Sequence, residues 1–414
     1  MLTLIAAFLG WLFDGMEMGI FPLVARPALA QMQAASIVRD GGLIHAVVLD
    51  ERYVQHWMGV VTALFLMGAA GGGFLFGWLG DRVGRVKAMT WSILCYSGFT
   101  GLCYFASEPW QLGALRCLAA LGMGGEWALG VALVMETWPE ARRPLMAGLI
   151  GAAANLGYCF IAVIGIRWPI SQDSWRWVML IGAGPAALTF LIRLFVPESE
   201  KWKASARQPG LSPAREIFSP RLLKRTLLAI AFASVALIAT WGIVQWIPAW
   251  ADQMSGGLLP KVKAWSQFWQ ALGAAVGCVL AALAGGAFGR RWTYFVLCVA
   301  SLAVCQWLFR AFDQVGPGFF AVVFLAGACT ASFYGWLPLY LPELFPTRVR
   351  ATGQGVAFNS GRILAALGAW QAPALMAFFD KSYPRAGETI VLVYLVGMGL
   401  IWFAPETKGR PLPE

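Results

Sequence analysis

The chain has 414 residues, 59% of them apolar and 13% charged, with a mean hydropathy of +0.66 and a formal charge of +10. So apolar a composition excludes a water-soluble protein of two or three domains and makes the bilayer the solvent. The positive charge points to nucleic acid only if the cations share one surface; here they are divided among short loops.

A hydrocarbon core about 30 Å thick takes roughly 20 apolar helical residues. Runs of that kind lie at 2–24, 57–80, 88–106, 112–138, 145–166, 177–196, 227–250, 265–288, 292–309, 319–341, 353–379 and 388–404, which predicts twelve spans. The first is read as a real helix, not a signal peptide. It has no basic leader, is too long for a signal core, and carries Asp14 and Glu17 at its centre. Between the spans, alternate loops hold nineteen of the 31 cationic residues, including Arg82, Arg85, Arg142, Arg143, Arg290, Arg291, Arg348 and Arg350, against ten on the other side. By the positive-inside rule the richer side is cytoplasmic, as are both termini, and nucleic acid is excluded as a partner. The eight cysteines are scattered through the spans without metal-ligand spacing, so neither a disulfide frame nor a metal site is expected.

The sequence also repeats itself. Gly151, Asn155 and Gly157 return 204 positions later as Gly355, Asn359 and Gly361; Glu136 and Pro139 return after 207 as Glu343 and Pro346; Pro197, Glu198 and Ser199 return after 208 as Pro405, Glu406 and Thr407. Two parallel six-helix halves follow, at 1–196 and 227–414, joined by a polar cytoplasmic linker at 197–226. That architecture places a solute site at the midplane between the halves.

Gly77, Asp81, Arg82, Gly84 and Arg85 spell G-x-x-x-D-R-x-G-R after the second span, which resembles the signature of the major facilitator superfamily. The Pro-Glu-Ser and Pro-Glu-Thr repeats resemble its sugar-porter branch. Gly10 to Phe21, Gly122 to Trp127 and Leu341 to Ile363 resemble the bacterial metabolite:proton symporters of that branch, especially sialate and lactate carriers. The resemblance implies an all-α, twelve-helix fold in a bacterial inner membrane, alternating access, and proton symport of a small organic solute. The second half reads Gly286, Ala287, Gly289, Arg290 and Arg291 in the matching loop, without the acid.

Five ionisable residues fall inside spans: Asp14, Glu17, Arg116, Glu126 and Arg362. A charge at the bilayer centre costs about 3 kcal/mol or more, so such residues need partners and line polar cavities. Asp14 and Glu17, three apart on one helix face, stand at a depth where Arg116 can meet them; the cluster either exchanges a proton or forms a fixed ion pair, with Glu126 a further proton-coupling candidate and Arg116 also a candidate for the solute. The resemblance implies the pair Asp14 with Arg116. Arg362 replaces Tyr158 of the first repeat, a cation that the duplication does not require, and its planar guanidinium suits a carboxylate solute. The alternative is an internal salt bridge to Glu126. Asn155, Asn359, Tyr158 and Gln245 are uncharged candidates for solute contacts. At the cytoplasmic face, Asp81, Arg82 and Arg85, with Glu136 beside Arg142 and Glu343 beside Arg350, are expected to latch and release the halves.

The reading is therefore a transporter and not an enzyme, binding a small molecule and protons in the lipid bilayer, monomeric and without cofactor. A carrier or facilitator of neutral sugars or polyols, or a solute sensor, is the alternative.

Overall fold

The computed structural model describes residues 2–39, 50–168, 170–185, 196–198, 200–205, 212–242, 244–256, 259, 261–371, 376, 378–380 and 382–413, and every regular element among them is a helix. With no water to satisfy backbone amides in hydrocarbon, helices of this length are what apolar runs must form. The main ones are α1 Leu2–Arg39, α2 Glu51–Val83, α3 Arg85–Leu102, α4 Pro109–Thr137, α5 Arg143–Arg167, α6 Trp175–Ile181, α7 Leu223–Gly242, α8 Ile247–Met254, α9 Val262–Phe288, α10 Arg290–Ala311, α11 Pro317–Thr330, α12 Phe333–Leu344, α13 Arg350–Trp370, α14 Tyr383–Ile390 and α15 Val393–Leu400. Among the described residues nine helical segments are long and apolar enough to cross a membrane. The expected spans at 88–106 and 353–379 are helical as α3 and, up to Trp370, α13. The span expected at 177–196 is helical through Ile181, and its residues 186–195 lie outside the described ones.

Two helices run well past their expected ends. α1 continues past Val24 to Arg39 through Pro27, because Ala25, Ala28, Leu29 and Met32 go on packing in a buried apolar cluster with Trp175, and Gln31 accepts bonds from Trp175 Nε1 (2.8 Å) and from Arg176. α2 starts at Glu51, where the side chain of Asp50 caps Arg52 N at 2.9 Å. Two other spans are irregular. A single 3-10 turn at Val244–Trp246 precedes α8; α11 ends at Thr330 and α12 restarts at Phe333. Across the two repeats, α13 packs on α2 and α4, while α5 packs on α9 and α12.

The duplication has a structural reason at the helix starts. Gly84 (φ 114°) and Gly289 (φ 95°) hold a backbone conformation that a side chain resists, and turn the chain into α3 and α10. Glu198 then caps Arg85 N and Val86 N at 2.9 and 3.1 Å, and Glu406 caps Arg290 N and Arg291 N at 3.0 and 3.1 Å. The repeated Pro-Glu motif is thus a distant carboxylate on a helix N-terminus.

Burial alone would raise the Glu406 carboxyl, but backbone donors from Arg290, Arg291, Lys408 and Thr407 together hold it below its ordinary 4.5. Its stabilising contribution is complete above that ordinary value and is lost as pH falls through the lower folded one. The melting temperature in detergent should therefore fall, as pH drops below about 4.5, by a component that Glu406→Gln lacks. Superimposable melting-versus-pH profiles for the two proteins would show the cap to be idle.

Candidate functional site

Both irregular segments open onto one cavity, to which α1 contributes Trp11 and Met18 and α5 contributes Asn155 and Tyr158. Its other wall comes from the irregular segments and their neighbours: Trp241 and Gln245, Gln267 and Gln270 on α9, Tyr334 on α12, and Phe358 and Arg362 on α13. Irregular backbone survives at membrane depth only where it lines such a space. Phe358 stacks on Trp127 of α4, centroids 4.1 Å apart at 17°, and closes the cavity on that side.

The five buried charges divide into two groups. Arg116 pairs with Glu17, not Asp14, and Thr100 of α3 donates to the same Glu17 oxygen at 2.9 Å. The guanidinium also lies 4.6 Å from the Phe65 ring and 5.3 Å from that of Phe21. This is a closed ion pair, walled by aromatic rings and away from the cavity lining. The implied partnership of Asp14 with Arg116 is not formed because Arg116 is already taken by Glu17.

Asp14 instead stands beside Glu126, carboxyl against carboxyl. No N–H or O–H donor of the described residues bonds either group. Arg362 does not pair with Glu126: its Nη1 donates to neutral Asn359 Oδ1 at 2.7 Å, its plane lies 5.0 Å from Phe358, and its Nε has no partner among the described residues. Asp14 is the carboxylate near enough to act on it electrostatically. Asn155, Tyr158, Gln245 and Arg362 line the cavity, while Asn359 is fully buried behind Arg362.

At the far end of the same seam, Asp81 Oδ2 accepts from Thr352 N (2.7 Å) and Oγ1 (2.5 Å), seating an acid of one repeat on the N-terminus of α13 in the other. Arg85 bonds Asp81 at 2.7 Å, Glu136 at 3.2 Å and Thr347 O at 3.0 Å, and Arg350 reaches Glu136 across the halves at 3.2 Å. Arg142 is exposed and takes no part in this cluster, and Arg82 is exposed over the Trp78 ring at 4.9 Å. Glu343 pairs with Arg290 at 2.6 Å within its own repeat, not with Arg350, which Glu136 has claimed. Where the second repeat lacks its acid, Gly286 rests on Pro144, whose nitrogen has no hydrogen to offer; a Cβ there would come 2.7 Å from the ring.

Sequence reasoning missed Gln267, Gln270, Tyr334 and Thr100. Two glutamines three apart in an apolar span were a legible sign of a polar stripe.

Against known proteins, the model of the Major Facilitator Superfamily matches residues 3–369. The chain is 30% identical to the inner membrane metabolite transport protein YgcS of Escherichia coli, over 86% of this chain and 84% of that one. It is 27% identical to the cis,cis-muconate transport protein of Acinetobacter baylyi, over 83% and 82%. Among solved structures, the proton:xylose symporter XylE superposes with a TM-score of 0.78 at 17% identity, covering 99% of this chain and 97% of that one, a likeness of fold.

Proposed function

The chain belongs to the Major Facilitator Superfamily, an integral membrane transporter and not an enzyme, and on that premise we propose that it is a proton-coupled symporter of a small organic carboxylate. One observation carries the proposal: a cation buried to 2% exposure lines the cavity and spends its bond on a neutral amide. A buried guanidinium with no anion bonded to it is costly, and a cargo carboxylate supplies two charge-assisted bonds to it. The relative named for cis,cis-muconate, a dicarboxylate, supports the same substrate class.

Coupling follows from competition. When Asp14 is ionised it holds the field of Arg362 for itself; a proton taken up by the Asp14–Glu126 pair releases that field to the cargo. Proton and carboxylate then bind together or not at all. The halves at 1–196 and 227–414 rock about the cavity, and the Asp81, Arg85, Glu136 and Arg350 cluster, cytoplasmic by the positive-inside rule, is the gate, held shut by the Asp81–Thr352 and Glu136–Arg350 contacts. Glu17 with Arg116, and Arg290 with Glu343, are static supports in this scheme.

A second reading, a carrier of neutral sugars or polyols, is favoured by the amide stripe of Gln245, Gln267, Gln270 and Asn155, which suits hydroxyls. A ligand panel separates the two. Muconate, gentisate, nicotinate and sialic acid are expected to raise the melting temperature in detergent while glucose and xylose do not, and the bound acid should enter vesicles faster with an acidic exterior, carrying protons that an internal dye reports. Stabilisation by the neutral sugars alone would overturn the role given to Arg362.

A further inference from the structure

Asn359 occupies a junction that neither the cavity nor the gate accounts for. It is fully buried, and both ends of its amide are committed. Oδ1 accepts from Arg362 Nη1 at 2.7 Å; Nδ2 donates to Gly355 O at 2.9 Å in its own helix and to Gly124 O at 3.3 Å in α4 of the other repeat. Gly124 lies two residues before Glu126. The amide also rests directly on α2, where a Cβ on Gly73 would fall 1.8 Å from Nδ2. From there the α2–α13 seam continues without a gap: a Cβ on Gly77 would stand 3.0 Å from Ala351 O, and Thr352 beyond it is the residue Asp81 grips.

We infer that Asn359 is the positioning residue through which occupancy of Arg362 is transmitted to the α2–α13 seam and the gate at its end. The inference rests on the reading of Arg362 as the carboxylate site. With the cavity empty, Arg362 holds Oδ1, the amide holds Gly124, and the two repeats stay closed. A carboxylate docking on the unbonded edge of Arg362 draws the guanidinium toward itself and weakens the bond from Nη1 to Oδ1. The amide is then held by Gly355 and by the longer bond to Gly124, and the longer bond is the first to yield. Cargo binding thereby loosens a polar tie between α13 and α4 beside the proton-carrying Glu126, and an empty carrier stays shut to protons.

An amide is required because one end must accept and the other donate. Aspartate at this position would neutralise Arg362 as a cargo does and would set an acceptor against Gly124 O; glutamine is too long against Gly73.

The test uses the full chain in proteoliposomes with whichever acid of the panel (muconate, gentisate, nicotinate or sialic acid) stabilises it most. In Asn359→Ser, acid counterflow is expected to persist while accumulation driven by a pH gradient falls by about tenfold and a cargo-independent proton leak appears. A merely structural role would depress counterflow and accumulation alike and produce no leak. Should the serine variant fail to fold, the isosteric Asn359→Asp is expected to fold, to bind the acid about tenfold more weakly, and to leak likewise. Arg362→Gln run in parallel separates the failures. Loss of acid binding there, with a wild-type accumulation ratio and no leak in the Asn359 variants, overturns the relay alone. Undiminished acid binding in Arg362→Gln overturns the substrate reading and the relay with it.

Discussion

Replacing Arg362 by glutamine is expected to weaken binding of the carboxylate by about 100-fold while leaving the empty protein as stable as before or more so. The size follows from what is lost. Hydrogen bonds to a charged partner contribute about 1.5–3 kcal/mol net, and each 1.4 kcal/mol is a factor of about ten in affinity. The gain in the empty protein follows from what the guanidinium costs: buried to 2% exposure, with Nε unbonded among the described residues, it is a desolvated charge awaiting its partner. Opposite signs for affinity and stability mark a binding residue, since a residue that served packing would lower both. Arg362→Lys keeps the charge but not the planar fork, and is expected to recover part of the affinity only. Calorimetric titration and melting curves on the same detergent preparation measure both quantities. Equal affinity in Arg362→Gln and wild type would mean that the cavity does not recognise a carboxylate through this residue.

The fold was legible because hydrocarbon leaves an apolar chain few choices, and the duplication was legible because equal offsets survive where helix starts and close packing demand fixed residues. Pro197-Glu198 and Pro405-Glu406 repeat because each glutamate caps a helix begun by a left-handed glycine, Gly84 or Gly289. The five intramembrane charges were legible for the same reason, being too costly to occur without a function or a partner.

Their pairing was not legible. Asp14 and Glu17 are three residues apart on α1, and which of them meets Arg116 depends on the rotation of α4 and on the placement of Thr100 by α3, neither of which spacing along one helix determines. The gate was half legible. Local spacing suggested Glu136 with Arg142 and Glu343 with Arg350, yet the repeat itself carried a better guide: Arg85 and Arg290 occupy matching places, 51 and 53 positions before the glutamates they bind. Nearness in sequence is a weak guide where helix ends from both repeats converge. The irregular turns at Val244–Trp246 and at Ala331–Ser332 were hidden within runs apolar enough to read as continuous, although Gly242 and Pro248 flank the first.

The rearranged charges change what Glu17 and Arg116 should do when altered. Removing one partner of a buried ion pair leaves the other desolvated and alone, which costs about 3–5 kcal/mol. Arg116→Ala is therefore expected to lower the melting temperature sharply or to prevent folding in detergent. Neutralising both partners removes that penalty: Glu17→Gln together with Arg116→Met keeps the volume, and Thr100 can still bond the glutamine, so the double variant should melt close to wild type. Its transport is the more telling measurement. If the proton rides on Asp14 and Glu126, whose carboxyls touch no donor, the double variant retains acid-driven uptake, whereas Asp14→Asn in an otherwise native chain abolishes it. A double variant that folds normally but no longer responds to external acid would return Glu17 and Arg116 to the proton path, and the division of the five charges into a brace and a working pair would have to be abandoned.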